Sequence, residues 1–133
     1  MNIAIVGATG NVGRKILEVL EKKELIIDNL YLLASSRSAG SKINFSGKEH
    51  EVIDLENFDF SKVKITFFAA GGKISENFAE IAAKHSLVID NSSFYRMDPD
   101  VPLIVPQVNS DHLNNIKKNI IANPNCSTAQ LVI

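Results

Sequence analysis

A glycine-rich turn near the start of the chain, Gly7-Ala8-Thr9-Gly10-Asn11-Val12-Gly13, most restricts what it can fold into. The turn follows Ile3-Ala4-Ile5-Val6, an apolar run that reads as a buried strand. After it, over about residues 12–22, Val12, Ile16, Val19 and Leu20 fall on one helical face, and Arg14, Lys15, Glu18 and Glu21 lie off it. Strand, glycine turn and helix in that order form the opening unit of a nucleotide-binding α/β fold. Gly7 then permits the tight turn, Gly10 lets a pyrophosphate approach the backbone, and Gly13 lets the helix pack closely on the sheet. Free amides at the helix start face the anion, with the helix dipole behind them.

The alternation continues along the chain. Strands are expected at residues 30–34, 63–69, 87–90 and 120–122, and a small hairpin pairs 42–45 with 49–53 around Ser46-Gly47-Lys48. Ser75 is expected to cap a helix whose inner face carries Phe78, Ile81 and Ala82. A loop with Pro99, Pro102 and Pro106 leads to a short helix near residues 111–117. This pattern predicts an α/β, Rossmann-type, doubly wound fold: a mostly parallel sheet with helices on both faces and ligands at the carboxyl ends of the strands.

Composition removes several classes. A length of 133 residues suits one domain, and a net charge of −1 with interspersed signs speaks against a nucleic-acid arm. The apolar runs are too short to cross a bilayer, so no membrane partner is expected. Met1 leads straight into the first strand without a charged leader, so no secretory signal is expected. A single cysteine makes no internal disulfide, which points to the cytoplasm and a free thiol. No grouping of His, Cys and acids has metal-ligand spacing. His50, His85 and His112 read as structural or solvated, and the charged run 18–24 reads as a solvated helix face.

The end of the second strand bears on the cofactor. An NAD enzyme normally presents an acid about 20 residues beyond the glycine turn, to hold the ribose hydroxyls. Here the strand runs into Ser35-Ser36-Arg37-Ser38, and an arginine among hydroxyls suits the 2′-phosphate of NADP. Farther on, Asn123-Pro124-Asn125-Cys126-Ser127-Thr128 follows the last strand and opens a helix. A thiol there lies near unpaired amides and the positive dipole end, which favour the thiolate.

Six segments together resemble aspartate-semialdehyde dehydrogenase: the glycine turn, Leu33 to Gly40, Ala70-Gly71-Gly72, Asp90 to Ser93, Arg96 to Pro102 and Asn123 to Thr128. The resemblance implies NADPH-dependent reductive dephosphorylation of L-4-aspartyl phosphate to L-aspartate 4-semialdehyde. That step belongs to lysine, threonine, methionine and diaminopimelate biosynthesis. It further implies that Cys126 is the nucleophile forming a thioester and that Arg96 and Asn125 hold the phosphate. The cofactor would rest on Gly7, Thr9, Gly10, Asn11, Val12, Gly13, Ser35, Arg37, Ser38 and Gly71.

Two positions depart from the family pattern: Ala69 stands where many relatives have serine, and Gln107 where they usually have glutamate. The resemblance also implies a second domain after the cysteine, carrying a glutamine, an arginine and a histidine, through which full-length relatives form homodimers. Residues 1–126 are therefore read as the NADP-binding domain ending at the nucleophile, and 127–133 as the start of a helix leading onward. The chain is read as a fragment, incompetent alone. A non-enzymatic NADP-binding remnant and an acyl reductase acting on N-acetylglutamyl phosphate are the alternatives. A short-chain reductase is disfavoured, because neither Tyr31 nor Tyr95 has a lysine four residues later.

Overall fold

Branched and aromatic residues build the strands of the computed structural model, which describes residues 1–133. In chain order they are β1 (Asn2–Val6), β2 (Asn29–Ala34), β3 (Lys42–Phe45), β4 (Lys48–Asp54), β5 (Ile65–Phe68), β6 (Leu87–Asp90) and β7 (Ile120–Ala122). They form one sheet in the order β3-β4-β2-β1-β5-β6-β7, parallel except for the β3–β4 pair. Without the edge strand β3, this is the order of a dinucleotide-binding sheet, and the direction of winding reverses between β1 and β5. The crevice for a ligand lies outside the carboxyl ends at that reversal.

Alternation along β1 divides the core. Ile3 and Ile5 point to one face, where Leu17 and Leu20 of helix α1 (Asn11–Lys22) cover them, with Leu32, Ala34 and Val52 alongside. Ala4 and Val6 point to the other, beneath Ala79 and Ala82 of helix α2 (Gly72–Ala83), with Phe68, Val88 and Tyr95. Helices therefore cover both faces, as expected.

Several expectations need correction. On α1 the inner face is Gly13, Leu17 and Leu20; Val12 and Val19 are 43% and 45% exposed. The adjacent pairs Ile16-Leu17 and Val19-Leu20 offer two apolar stripes, and close seating of Gly13 on the turn selects the second. The outer face carries Glu18, which bridges Lys15 and Lys22; their ammonium groups lower its pKa to about 2.

On α2, Gly71 is the N-cap and Ser75 lies inside the helix, fully buried, donating its hydroxyl to Asp90 at 2.7 Å. Ile81 faces solvent. The strand expected at 63–69 is shorter, because Phe60–Lys62 forms a 3-10 turn capped by Asp59. The hairpin loop has two residues, Ser46 and Gly47, both at positive φ, so β4 begins at Lys48. The short helix moves upstream: Pro106–Asn109 forms a single α-helical turn, α3, and Ser110–Asn115 a 3-10 helix. Neither contains a buried residue, so no packed apolar face holds a longer helix there. The last helix, α4, runs Cys126–Leu131.

Candidate active site

The glycine turn is fixed by contacts that exclude larger residues. A Cβ on Gly13 would stand 2.2 Å from the Gly7 carbonyl oxygen, and one on Gly7 would stand 2.6 Å from that of Ala69. The turn is thereby pressed against both α1 and the end of β5. Gly7 and Ala8 donate their amides to the Leu33 carbonyl, tying the turn to β2. Gly10 is the N-cap of α1 and, lacking a side chain, supplies no cap. The amides of Asn11, Val12 and Gly13 consequently have no acceptor in the chain. Three open donors on a three-turn helix form an anion cradle.

Beside this cradle is a cleft of about 450 Å³ across the carboxyl ends of β1, β2, β4 and β5. Gly7, Thr9, Gly10 and Ser35 line it, as do Ser36, Ala69 and Ala70. Asn11, Val12 and Gly13 lie just outside, in the first turn of α1. Arg37 and Ser38 belong to the following turn: Ser38 bonds Ser41 through its carbonyl, and Arg37 is exposed. Gly71, at φ 89°, begins α2 beyond the cleft wall. Asp54, Glu56 and Ile74, which the sequence does not mark, also line the cleft, as does Phe78, expected there only as part of the inner face of α2. Ile74 shares one face of α2 with Phe78 at helical spacing; Asp54 and Glu56 carry no local signal of a site.

The other end of the sheet edge holds the cysteine. Cys126 is exposed and is the first residue of α4, three strands from the glycine turn, or about 14 Å at ordinary strand spacing. Asn125 is the N-cap, and its side-chain oxygen accepts from the Thr128 amide at 2.8 Å. That oxygen is committed to the helix, which leaves the Asn125 amide group as a donor. Arg96 is half-buried and donates to the carbonyls of Asn123 at 2.9 Å and Asn91 at 3.0 Å. It forms no ion pair with Asp98 or Asp100, which pair instead with Lys118 and Lys117. The Asn123 side chain donates to that of Asn91 at 2.7 Å, so the ends of β6 and β7 are tied together under Arg96. Beneath them the fully buried Asp90 accepts from Ser75, from the Ser92 hydroxyl at 2.7 Å and from the Ser92 amide at 3.0 Å, fixing the loop that carries Arg96.

The reversed winding, the open amides and the adjoining cleft define a dinucleotide-binding α/β domain. Residues 2–116 match the model of the family described as semialdehyde dehydrogenase, NAD binding domain, and the chain belongs to that family. It is 48% identical over 134 residues to an aspartate-semialdehyde dehydrogenase of Shewanella sp. (strain DB6705), covering 99% of this chain and 40% of that protein. Among solved structures it resembles aspartate semialdehyde dehydrogenase II of Vibrio cholerae complexed with ASA, with a TM-score of 0.95, 51% identity and coverage of 98% and 43%. The Candida albicans enzyme with NADP is more distant, with a TM-score of 0.72, 28% identity and coverage of 99% and 45%. The chain thus spans about 40% of the length of the curated relatives it matches. No helix is long and apolar enough to cross a membrane.

Proposed function

We propose that this chain is the NADP-binding portion of an aspartate-semialdehyde dehydrogenase and carries its nucleophile, Cys126. The observation that supports this best is the placement of an exposed cysteine at a helix start on the same sheet edge as an open pyrophosphate cradle. In the forward reaction the Cys126 thiolate attacks the acyl carbon of L-4-aspartyl phosphate. The carbon–oxygen bond breaks, inorganic phosphate leaves, and a thioester remains on sulfur. NADPH, when bound, supplies the hydride that reduces this thioester to the aldehyde.

Arg96 and the free amide of Asn125 hold the phosphate near Cys126. The two carbonyls that Arg96 already grips fix its guanidinium plane and leave further N–H donors for the anion. The amides of Asn11, Val12 and Gly13 hold the cofactor pyrophosphate, and Ser35, Arg37 and Ser38 receive the 2′-phosphate. These residues grip phosphate and cofactor, but none of the three histidines lies beside Cys126 in sequence or in its helix. Catalytic groups act as a unit, so these 133 residues alone bind the cofactor without appreciable turnover.

A graft tests the assignment. These residues replace the matching segment of the Vibrio cholerae enzyme, and the product is assayed with aspartate semialdehyde, phosphate and NADP. Turnover is expected in the graft and is lost in Cys126→Ala, while Arg96→Lys raises the KM for phosphate more than it lowers kcat. A folded graft that stays active without Cys126, or an active Cys126-dependent chain of these residues alone near 1 s⁻¹, contradicts the proposal.

A further inference from the structure

The sequence around β2 presents no carboxylate for a ribose, yet the sheet brings one in from the neighbouring strand. β4 lies beside β2, and Asp54 stands in register with Ala34, the residue immediately before Ser35. Parallel neighbours are about 4.8 Å apart. The carboxylate therefore lies next to the Ser35-Ser36 turn, and Ser35, Ser36, Asp54 and Glu56 line one cleft.

That cleft contains two carboxylates and no lysine or arginine among its lining residues. Asp54 is half-buried and uses Oδ1 to cap the following turn, accepting from the Glu56 amide at 3.1 Å. It takes part in none of the chain's ion pairs, and neither does Arg37. A carboxylate only accepts hydrogen bonds. A ribose hydroxyl can donate to it, whereas a 2′-phosphate dianion is repelled by it.

We infer that Asp54 sets the margin between the two nicotinamide dinucleotides, by accepting from the unphosphorylated ribose of NADH and opposing the 2′-phosphate of NADPH. The inference rests on the cofactor reading above and deepens it: Arg37 and its neighbouring hydroxyls favour NADPH, and Asp54 from the adjacent strand narrows that preference. The chain therefore accepts NADH as well as NADPH.

The test is a pair of titrations, NADPH and NADH, on the wild-type chain and on Asp54→Asn, at low and equal ionic strength. Asparagine keeps the capping oxygen and removes only the charge. NADPH binding is expected to tighten by about five- to tenfold, and NADH binding to weaken, so the affinity ratio widens. Asp54→Ser, which also keeps a capping oxygen, must widen it in the same direction and serves where the asparagine variant does not fold. If the wild type binds NADPH alone, or binds both nucleotides and neither variant widens the ratio, the inference about Asp54 fails while the cofactor reading stands. If the wild type binds neither nucleotide, both fail.

Discussion

Gly13 and Gly10 sit three residues apart in one turn and have opposite physical roles. At Gly13 an added methyl meets the Gly7 backbone at 2.2 Å, and neither α1 nor β1 can yield without opening the core between Ile5 and Leu17. Gly13→Ala is expected to cost about 3 kcal/mol or more in urea unfolding. At Gly10 the nearest atom to an added methyl is 3.5 Å away, an ordinary contact, and φ is −78°. Gly10→Ala should change stability by less than about 1 kcal/mol. On the cofactor reading proposed above, its methyl projects toward the pyrophosphate, so weaker NADPH binding is the expected outcome. Equal stability losses for the two variants contradict this division of roles.

Among the elements, the loop after β6 and the approach to β7 are held by ions. Lys118 reaches Asp98 at 2.9 Å and, more weakly, Glu80 at 4.0 Å. Its ammonium, together with the Asp100 amide, holds the Asp98 carboxyl below its ordinary 3.8, and Asp98 holds Lys118 above its ordinary 10.5. A carboxyl lowered on folding stabilises above its unfolded pKa, and that contribution is lost as pH falls through the folded value. A lysine raised on folding stabilises below its unfolded pKa and loses that contribution as pH rises through the folded value. Asp98→Asn should therefore lower the Tm slightly across the neutral range, with the gap from wild type closing below about pH 4. Glu18 is outside this pair; its own contribution fades between 4.5 and about 2. A gap that persists unchanged at pH 2 contradicts the assignment to Asp98.

Strands made of branched runs, such as β1 and β6, declared themselves because burial on both faces demands unbroken apolar stretches. The inner face of α1 was legible only at Leu20, since two apolar stripes lay side by side and the tertiary seat of Gly13 chose between them. Ser75 looked like a cap because serine favours helix starts; the buried Asp90 on β6, 15 residues away, instead claimed its hydroxyl inside the helix. Helix starts signalled by backbone geometry, like Gly71 at φ 89°, leave only a glycine as their trace.

For the whole molecule, the candidate site was legible where it is local and hidden where it is assembled across strands. The glycine turn and the Asn125-Cys126 helix start are each contiguous, and both appear where their spacing places them. Asp54 reaches the cleft through the pairing of β2 with β4, and nothing within residues 48–56 announces that neighbour. Arg96 stood out in the sequence only through the family resemblance, and its fixed orientation by the main-chain carbonyls of Asn91 and Asn123, just past the ends of β6 and β7, left no local trace.

In the function proposed above, this sheet edge binds a nicotinamide dinucleotide through the α1 amides and distinguishes the phosphorylated form through Arg37. Calorimetric titration of the purified chain with NADPH and NADH, repeated on Arg37→Ala, tests it most directly. Saturable one-to-one binding is predicted, tighter for NADPH, with Arg37→Ala removing about 1.5–3 kcal/mol of that difference. Equal affinities for the two nucleotides in the wild-type chain, or no binding of either, would contradict it.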